Sequence, residues 1–122
     1  MLWFLTWIAY ANAADITLSE GENIQDAIDD AEAGDTITLM AGTYEVDELT
    51  TQSHGTTDAP ITLKAADGEA VIIAGDELVI EIEHEHWVFD GIIFDGRFGR
   101  ETPINIRDEG SHTRLQGVEV RN

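Results

Sequence analysis

The sequence predicts an all-β protein, a right-handed parallel β-helix (a solenoid) with a short amphipathic helix capping its N-terminal end. Three observations predict it. A strand-bearing segment recurs 26 residues apart, one helical stretch precedes the strands, and the strand candidates are short and punctuated by Gly, Asp and Asn. In the repeat, Leu78-Val79-Ile80 returns as Ile104-Asn105-Ile106. Trp87-Val88-Phe89-Asp90-Gly91-Ile92-Ile93-Phe94 returns as Thr113-Arg114-Leu115-Gln116-Gly117-Val118-Glu119-Val120. His86 falls on His112, Gly91 falls on Gly117, and Ile61-Thr62-Leu63 lies one period upstream of Trp87-Val88-Phe89. A fixed period of short strands marks stacked repeats, and each repeat buries its apolar face only against its neighbours.

The elements follow in order. Met1 to Tyr10 is nearly all apolar and leads into Ala11-Asn12-Ala13. Small residues at that spacing fit signal-peptidase cleavage, although no Lys or Arg precedes the apolar run. The expected organisation is a signal peptide over residues 1–13 and β-helix coils over 14–122, in a secreted or periplasmic protein. The leader is too short to span a bilayer, so no stable membrane span is expected.

Ile16-Thr17-Leu18 reads as a strand. Ile24, Ala27, Ile28 and Ala31 then form one apolar helix stripe, with Gly34 as its expected stop. Such a helix suits the open end of a solenoid, which otherwise exposes core side chains and unpaired strand edges. Asp35 to Leu39 alternates polar and apolar residues, Ala41 to Tyr44 reads as a turn, and Thr50 to Ala59 reads as an exposed loop. Pro60 opens the next strand, Ile61 to Lys64. Val71 to Ile73, Leu78 to Ile82, Trp87 to Phe89, Ile92 to Phe94, Ile104 to Ile106 and Leu115 to Val120 complete the set. Asp90-Gly91 also fits a type I′ hairpin, which makes an antiparallel sandwich the rival fold. Hairpins do not usually repeat as one strand–corner–strand unit, so the repeat favours coils. Val118 to Asn122 ends on a strand with no cap after it, and the expectation is a β-helix truncated at its C-terminal end.

Charge narrows the partners. There are 25 acidic residues against 6 basic ones, a net charge of −19, spread along the chain rather than gathered in a tail. Nucleic-acid binding needs a basic surface, so it is excluded as an expectation. Binding a polyanion demands local cations. Without cysteine, no disulfide is available to report the compartment.

Ile24 to Ile28, Ala33-Gly34-Asp35-Thr36-Ile37-Thr38-Leu39, Ala41-Gly42-Thr43-Tyr44 and Gly55 to Ala65 together resemble the opening of secreted, pectate-lyase-like β-helix proteins. The Trp87 to Phe94 segment is similar to their next coil. The resemblance is closest to the chondroitinase B and alginate lyase group, polysaccharide lyase family 6. It implies a polysaccharide lyase that acts on an acidic, uronic-acid-containing polysaccharide by β-elimination. In that chemistry Ca²⁺ offsets the substrate carboxylate, a lysine removes the C5 proton and an arginine assists the leaving side. The family's ligands and catalytic residues lie on later coils, so none carries over to a position here. This segment is expected to supply scaffold and to be inactive alone. A uronan epimerase on the same fold and a non-catalytic surface adhesin are the alternatives.

Candidate sites within the chain are few. Arg97 and Arg100 flank Phe98 after Asp95-Gly96, and two guanidinium groups beside an aromatic suit a sugar carboxylate; local pairing with Asp95 or Glu101 is the bland reading. His84 and His86 would share a face on a strand and suit a metal, but the apolar phase shifts there, which favours an exposed corner. Glu81, Glu83 and Glu85 read as a solvated stripe. No metal ligand set or catalytic residue is assigned, and no nucleophile triad, phosphate loop or zinc signature is present.

Overall fold

The computed structural model describes residues 13–97 and 104–121. Apart from Ala13, the expected leader lies outside the described residues, as does Arg100. The elements are β1 (Asp15–Leu18), α1 (Ile24–Asp30), β2 (Thr36–Leu39), β3 (Gly42–Glu45), β4 (Glu48–Thr50), β5 (Ile61–Ala65) and β6 (Val71–Ala74). They continue with β7 (Val79–Ile82), β8 (Trp87–Asp90), β9 (Ile93–Asp95), β10 (Ile104–Ile106), a 3₁₀ turn at Asp108–Gly110, β11 (Arg114–Gln116) and β12 (Glu119–Arg121).

Every strand pairing among them is parallel, which removes the antiparallel sandwich. The strands form three sheets, ordered β1-β2-β5-β8-β11, β3-β6-β9-β12 and β4-β7-β10. The chain visits the three in turn and then climbs one layer. Gly91, which a hairpin reading would place in a turn between antiparallel strands, instead takes φ +73° at the corner between β8 and β9. The equivalent Gly117, at φ +60°, stacks on it.

In the first sheet the step from β1 to β2 is 21 residues (Asp15 beside Thr36), and from β2 onward the 26-residue period is kept from layer to layer. Ile37 lies beside Leu63, Leu63 beside Phe89, and Phe89 beside Leu115. The third sheet departs from it. Ile104 pairs with Ile80 and Ile106 with Ile82, so the expected match of Leu78-Val79-Ile80 with Ile104-Asn105-Ile106 is shifted by two residues. The corner before β11 contains the 3₁₀ turn, whereas the corner before β8 is only residues 83–86. A longer corner moves the preceding strand's register while the first sheet keeps its spacing.

Inward residues of all three sheets meet in one core. Trp87, Phe94, Ile37, Leu39, Ile61, Leu63, Ile73 and Ile82 are fully buried, and alternation along each strand puts them on one face. Trp87 and Phe89 rings stack at 5.9 Å, and Phe89 meets Phe94 edge-on at 6.2 Å. The buried indole N–H of Trp87 donates to the Ser53 carbonyl at 2.9 Å, as a desolvated donor requires.

Four local expectations need correction. Ala41 to Tyr44, read as a turn, falls largely in β3 (Gly42–Glu45), whose backbone pairs with β6. Thr50, read as the start of a loop, ends β4, which pairs with β7. Leu115 to Val120 is two strands broken at Gly117. Helix α1 ends at Asp30 with an extended Ala31, and Gly34 (φ +93°) instead sits in the turn closed by Asp35 N–H to the Glu32 carbonyl.

The helix covers the first layer. Its N-cap Asn23 accepts from the Asp26 N–H at 3.0 Å, the usual way to satisfy a first-turn donor. Ile24, Ala27, Ile28 and Ala31 are buried, and α1 packs against β4. The Gln25 amide donates to the Thr50 carbonyl at 2.9 Å and accepts the Thr50 N–H at 2.9 Å. One side chain thus supplies both bonds that a neighbouring strand would make at the β4 edge. Glu20 does the same for one donor of β3, accepting the Thr43 N–H at 2.7 Å.

Candidate functional site

The expected sugar-contact loop begins at Arg97. There the Arg97 N–H donates to the Asp95 carboxylate at 2.9 Å. The Arg97 guanidinium donates to both Glu45 oxygens, at 2.5 and 2.8 Å, and to Asp76 at 3.4 Å. These carboxylates hold the protonated guanidinium and raise its pKa, chiefly through the Glu45 hydrogen bonds. Arg97 therefore ties corners of successive coils together through Glu45 and Asp76 rather than through a sequence neighbour. Arg107 likewise reaches across to the preceding coil, binding Glu81 at 2.9 Å, whereas Arg121 pairs within its own strand with Glu119 at 2.6 Å. The Arg107 hydrogen bond is the main reason the Glu81 carboxyl titrates below its usual range.

The stretch from Glu83 to His86 is a corner, not a strand. His84 turns to Thr51, with Nδ1 2.8 Å from the hydroxyl, while that hydroxyl accepts the Glu83 N–H at 2.9 Å. His54 Nδ1 accepts the Glu85 N–H at 2.9 Å, which requires that nitrogen to be unprotonated. The two rings meet edge-on at 4.8 Å. Desolvation, then the nearby His54, lowers the His84 pKa.

His86 lies at φ +58°, and His112 repeats that conformation at φ +59°. Their rings stack at 4.7 Å, 14° from parallel. The corners are locked to each other by Ile61 N–H to the His86 carbonyl and His86 N–H to the Ser111 carbonyl. All four histidines of the chain thus gather at the corner between the third and first sheets. The sequence alignment of His86 with His112 carried this signal, but not the convergence of His54 and His84, whose segments lie 30 residues apart.

Beside the stacked pair runs a groove of about 600 Å³, lined by Thr57, Pro60, His86, Val88, His112, Thr113, Arg114 and Leu115. Its lining has no carboxylate. Other grooves are rimmed by acids: Glu20, Glu22, Glu45, Asp47 and Glu48 in one, Glu45, Asp47 and Asp76 in another, and Glu83, Asp108 and Glu109 in a third. Arg114 stands on the outward ladder Thr62–Val88–Arg114 of the first sheet. Among the described residues it has no carboxylate partner within salt-bridge distance. No three His, Asp or Glu side chains converge among the described residues as a metal site would require. No step is assigned to the calcium implied by the resemblance.

Three parallel sheets wound in one direction, with a helix over the first layer, define the class: a right-handed parallel β-helix. A family model described as chondroitinase B matches residues 18–115, and the chain belongs to that family. It is 47% identical over 58 residues to a protein described as pectate lyase PEL9 from Emericella nidulans, covering 47% of this chain and 14% of that protein. The solved structure of the PL6 family alginate lyase AlyGC matches with a TM-score of 0.71 at 26% identity, over 87% of this chain and 15% of that one. The chain therefore spans a small fraction of the length of these relatives.

Proposed function

We propose that this chain forms the opening coils of a secreted polysaccharide lyase that cleaves a uronic-acid polysaccharide by β-elimination. The observation that carries the reading is the family match over residues 18–115, supported by relatives described as a pectate lyase and an alginate lyase. Chondroitin, pectate and alginate all carry uronic acids, so the shared chemistry is a sugar carboxylate beside a removable C5 proton. Within this reading the described coils act as scaffold and bind polymer, while the calcium and the proton-transfer groups belong to coils that this chain does not contain.

Secretion is part of the proposal, and the Ala14 environment supports it. The Ala14 nitrogen donates to Asp35 Oδ1 at 2.8 Å, and the other Asp35 oxygen accepts the Glu32 N–H at 2.9 Å. Cleavage after Ala13 would turn the Ala14 amide into an ammonium already facing a buried carboxylate. Among the described residues no helix is long and apolar enough to cross a membrane.

The test is expression of the complete reading frame with export, followed by assay on alginate, chondroitin and polygalacturonate with calcium. Absorbance of a new unsaturated uronate and an intact mass beginning at Ala14 are expected. Changed uronate composition without a double bond would replace the lyase with an epimerase. Binding without any chemistry on all three polymers would replace it with an adhesin.

A further inference from the structure

We infer that the groove beside His86 and His112 is a uronate-binding subsite, with Arg114 holding a sugar carboxylate and the two imidazoles contacting neighbouring hydroxyls. The inference rests on the lyase reading for its ligand class and adds a location and residues to it.

The argument starts from charge. A protein of net charge −19 repels a polyanion over most of its surface, so an acidic polymer can approach only where carboxylates are missing and a cation is available. The groove from Thr57 to Leu115 meets the first condition, since its lining contains no Asp or Glu. It meets the second through Arg114, while Arg97, Arg107 and Arg121 are each engaged by carboxylates. Lys64, the other cation on this sheet's outer face, lies 3.7 Å from Asp67. A guanidinium presents a planar fork that matches a carboxylate, and it keeps its charge at any working pH.

The geometry adds direction. Stacking at 4.7 Å sets the edges of His86 and His112 one above the other along the coil axis, each able to donate or accept. Their left-handed backbone is uncommon for residues other than glycine, yet it recurs in both coils. Asp90, outward on β8, is occupied by the Gln116 amide at 3.0 Å. Such a ladder suits an extended chain lying along the solenoid, with one carboxylate on Arg114.

The probe is a pair of hexasaccharides, mannuronate and galacturonate, titrated into the intact protein in EDTA and followed by calorimetry. Arg114→Gln is expected to weaken binding of the better ligand by roughly tenfold or more. His112→Asn, chosen because Asn tolerates the left-handed conformation, is expected to weaken it less. Carboxyl-reduced hexasaccharide is expected to bind wild type no better than Arg114→Gln binds the acid. Wild-type affinity in Arg114→Gln, with double-bond formation intact, overturns the subsite and leaves the lyase standing. Loss of binding in that variant, in a protein that forms no double bond, upholds the subsite and overturns the lyase.

Discussion

The two ends of the stack present the same strands to very different surroundings. At the first layer, α1 seats Ile24, Ala27 and Ile28 over the core, Gln25 completes the β4 edge, and Glu20 meets the edge of β3. At the last described layer, β11 and β12 are exposed along their length. Ile106, Leu115 and Val120 are 50%, 40% and 45% exposed. Phe89 and Leu115 occupy adjacent rungs of one inward ladder, yet Phe89 is 2% exposed. The alternation that points a side chain inward is the same in both. What differs is whether another layer lies on top, and that is where the hydrophobic gain of a solenoid arises.

The largest effect that can break this comparison is truncation of equivalent apolar side chains. Ile28→Ala, at a residue 2% exposed, is expected to cost about 2–5 kcal/mol. Leu115→Ala is expected to cost about 1 kcal/mol or less, because much of its surface already meets water. Urea unfolding of both variants reads the difference, and equal losses would show that something covers the last layer in solution.

A smaller effect tests the edge itself. Gln25→Ala leaves the Thr50 N–H and carbonyl without their partner and is expected to cost about 1–3 kcal/mol. It should also speed hydrogen exchange at the Thr50 amide. Gln116→Ala removes one exposed bond to Asp90 and should stay within about 0.5 kcal/mol. Unchanged Thr50 protection in Gln25→Ala would mean that the helix covers the core without completing the sheet.

The smallest expected effect lies between the ends, where His84 ties the loop after β4 to the next coil. Burial and His54 hold its folded pKa below the ordinary 6.5. The unfolded chain then binds more protons as pH falls below about 6.5, so stability present above that value is lost toward the folded pKa. Urea midpoints compared between pH 7.5 and 5.5 should fall more for wild type than for His84→Gln. A parallel decline in both would remove His84 as the cause.

The strands of the first sheet were legible because β2, β5 and β8 alternate strictly and recur at one spacing. The helix was legible because Ile24, Ala27, Ile28 and Ala31 make a single stripe. Strands β3 and β4 were not, since Gly42-Thr43 has turn chemistry and Glu48-Leu49-Thr50 has one apolar residue; only pairing with β6 and β7 makes them strands. The stacked histidines left a trace as two aligned positions. The groove left none, because its distinguishing property is the absence of carboxylates from a surface assembled out of three separate segments.

By itself, the sequence determined the coil: a period, an alternation and a helical stripe are local patterns, and each follows from backbone geometry acting over a few residues. It also determined the acidic surface and the family likeness. The tertiary structure alone decided the two-residue shift between β7 and β10, the engagement of Arg97 by Glu45 and Asp76, and the freedom of Arg114 from such partners among the described residues. Those depend on how long each corner is and on which side chains it brings within hydrogen-bond reach. Corner length adds up across layers, so no single repeat contains that information.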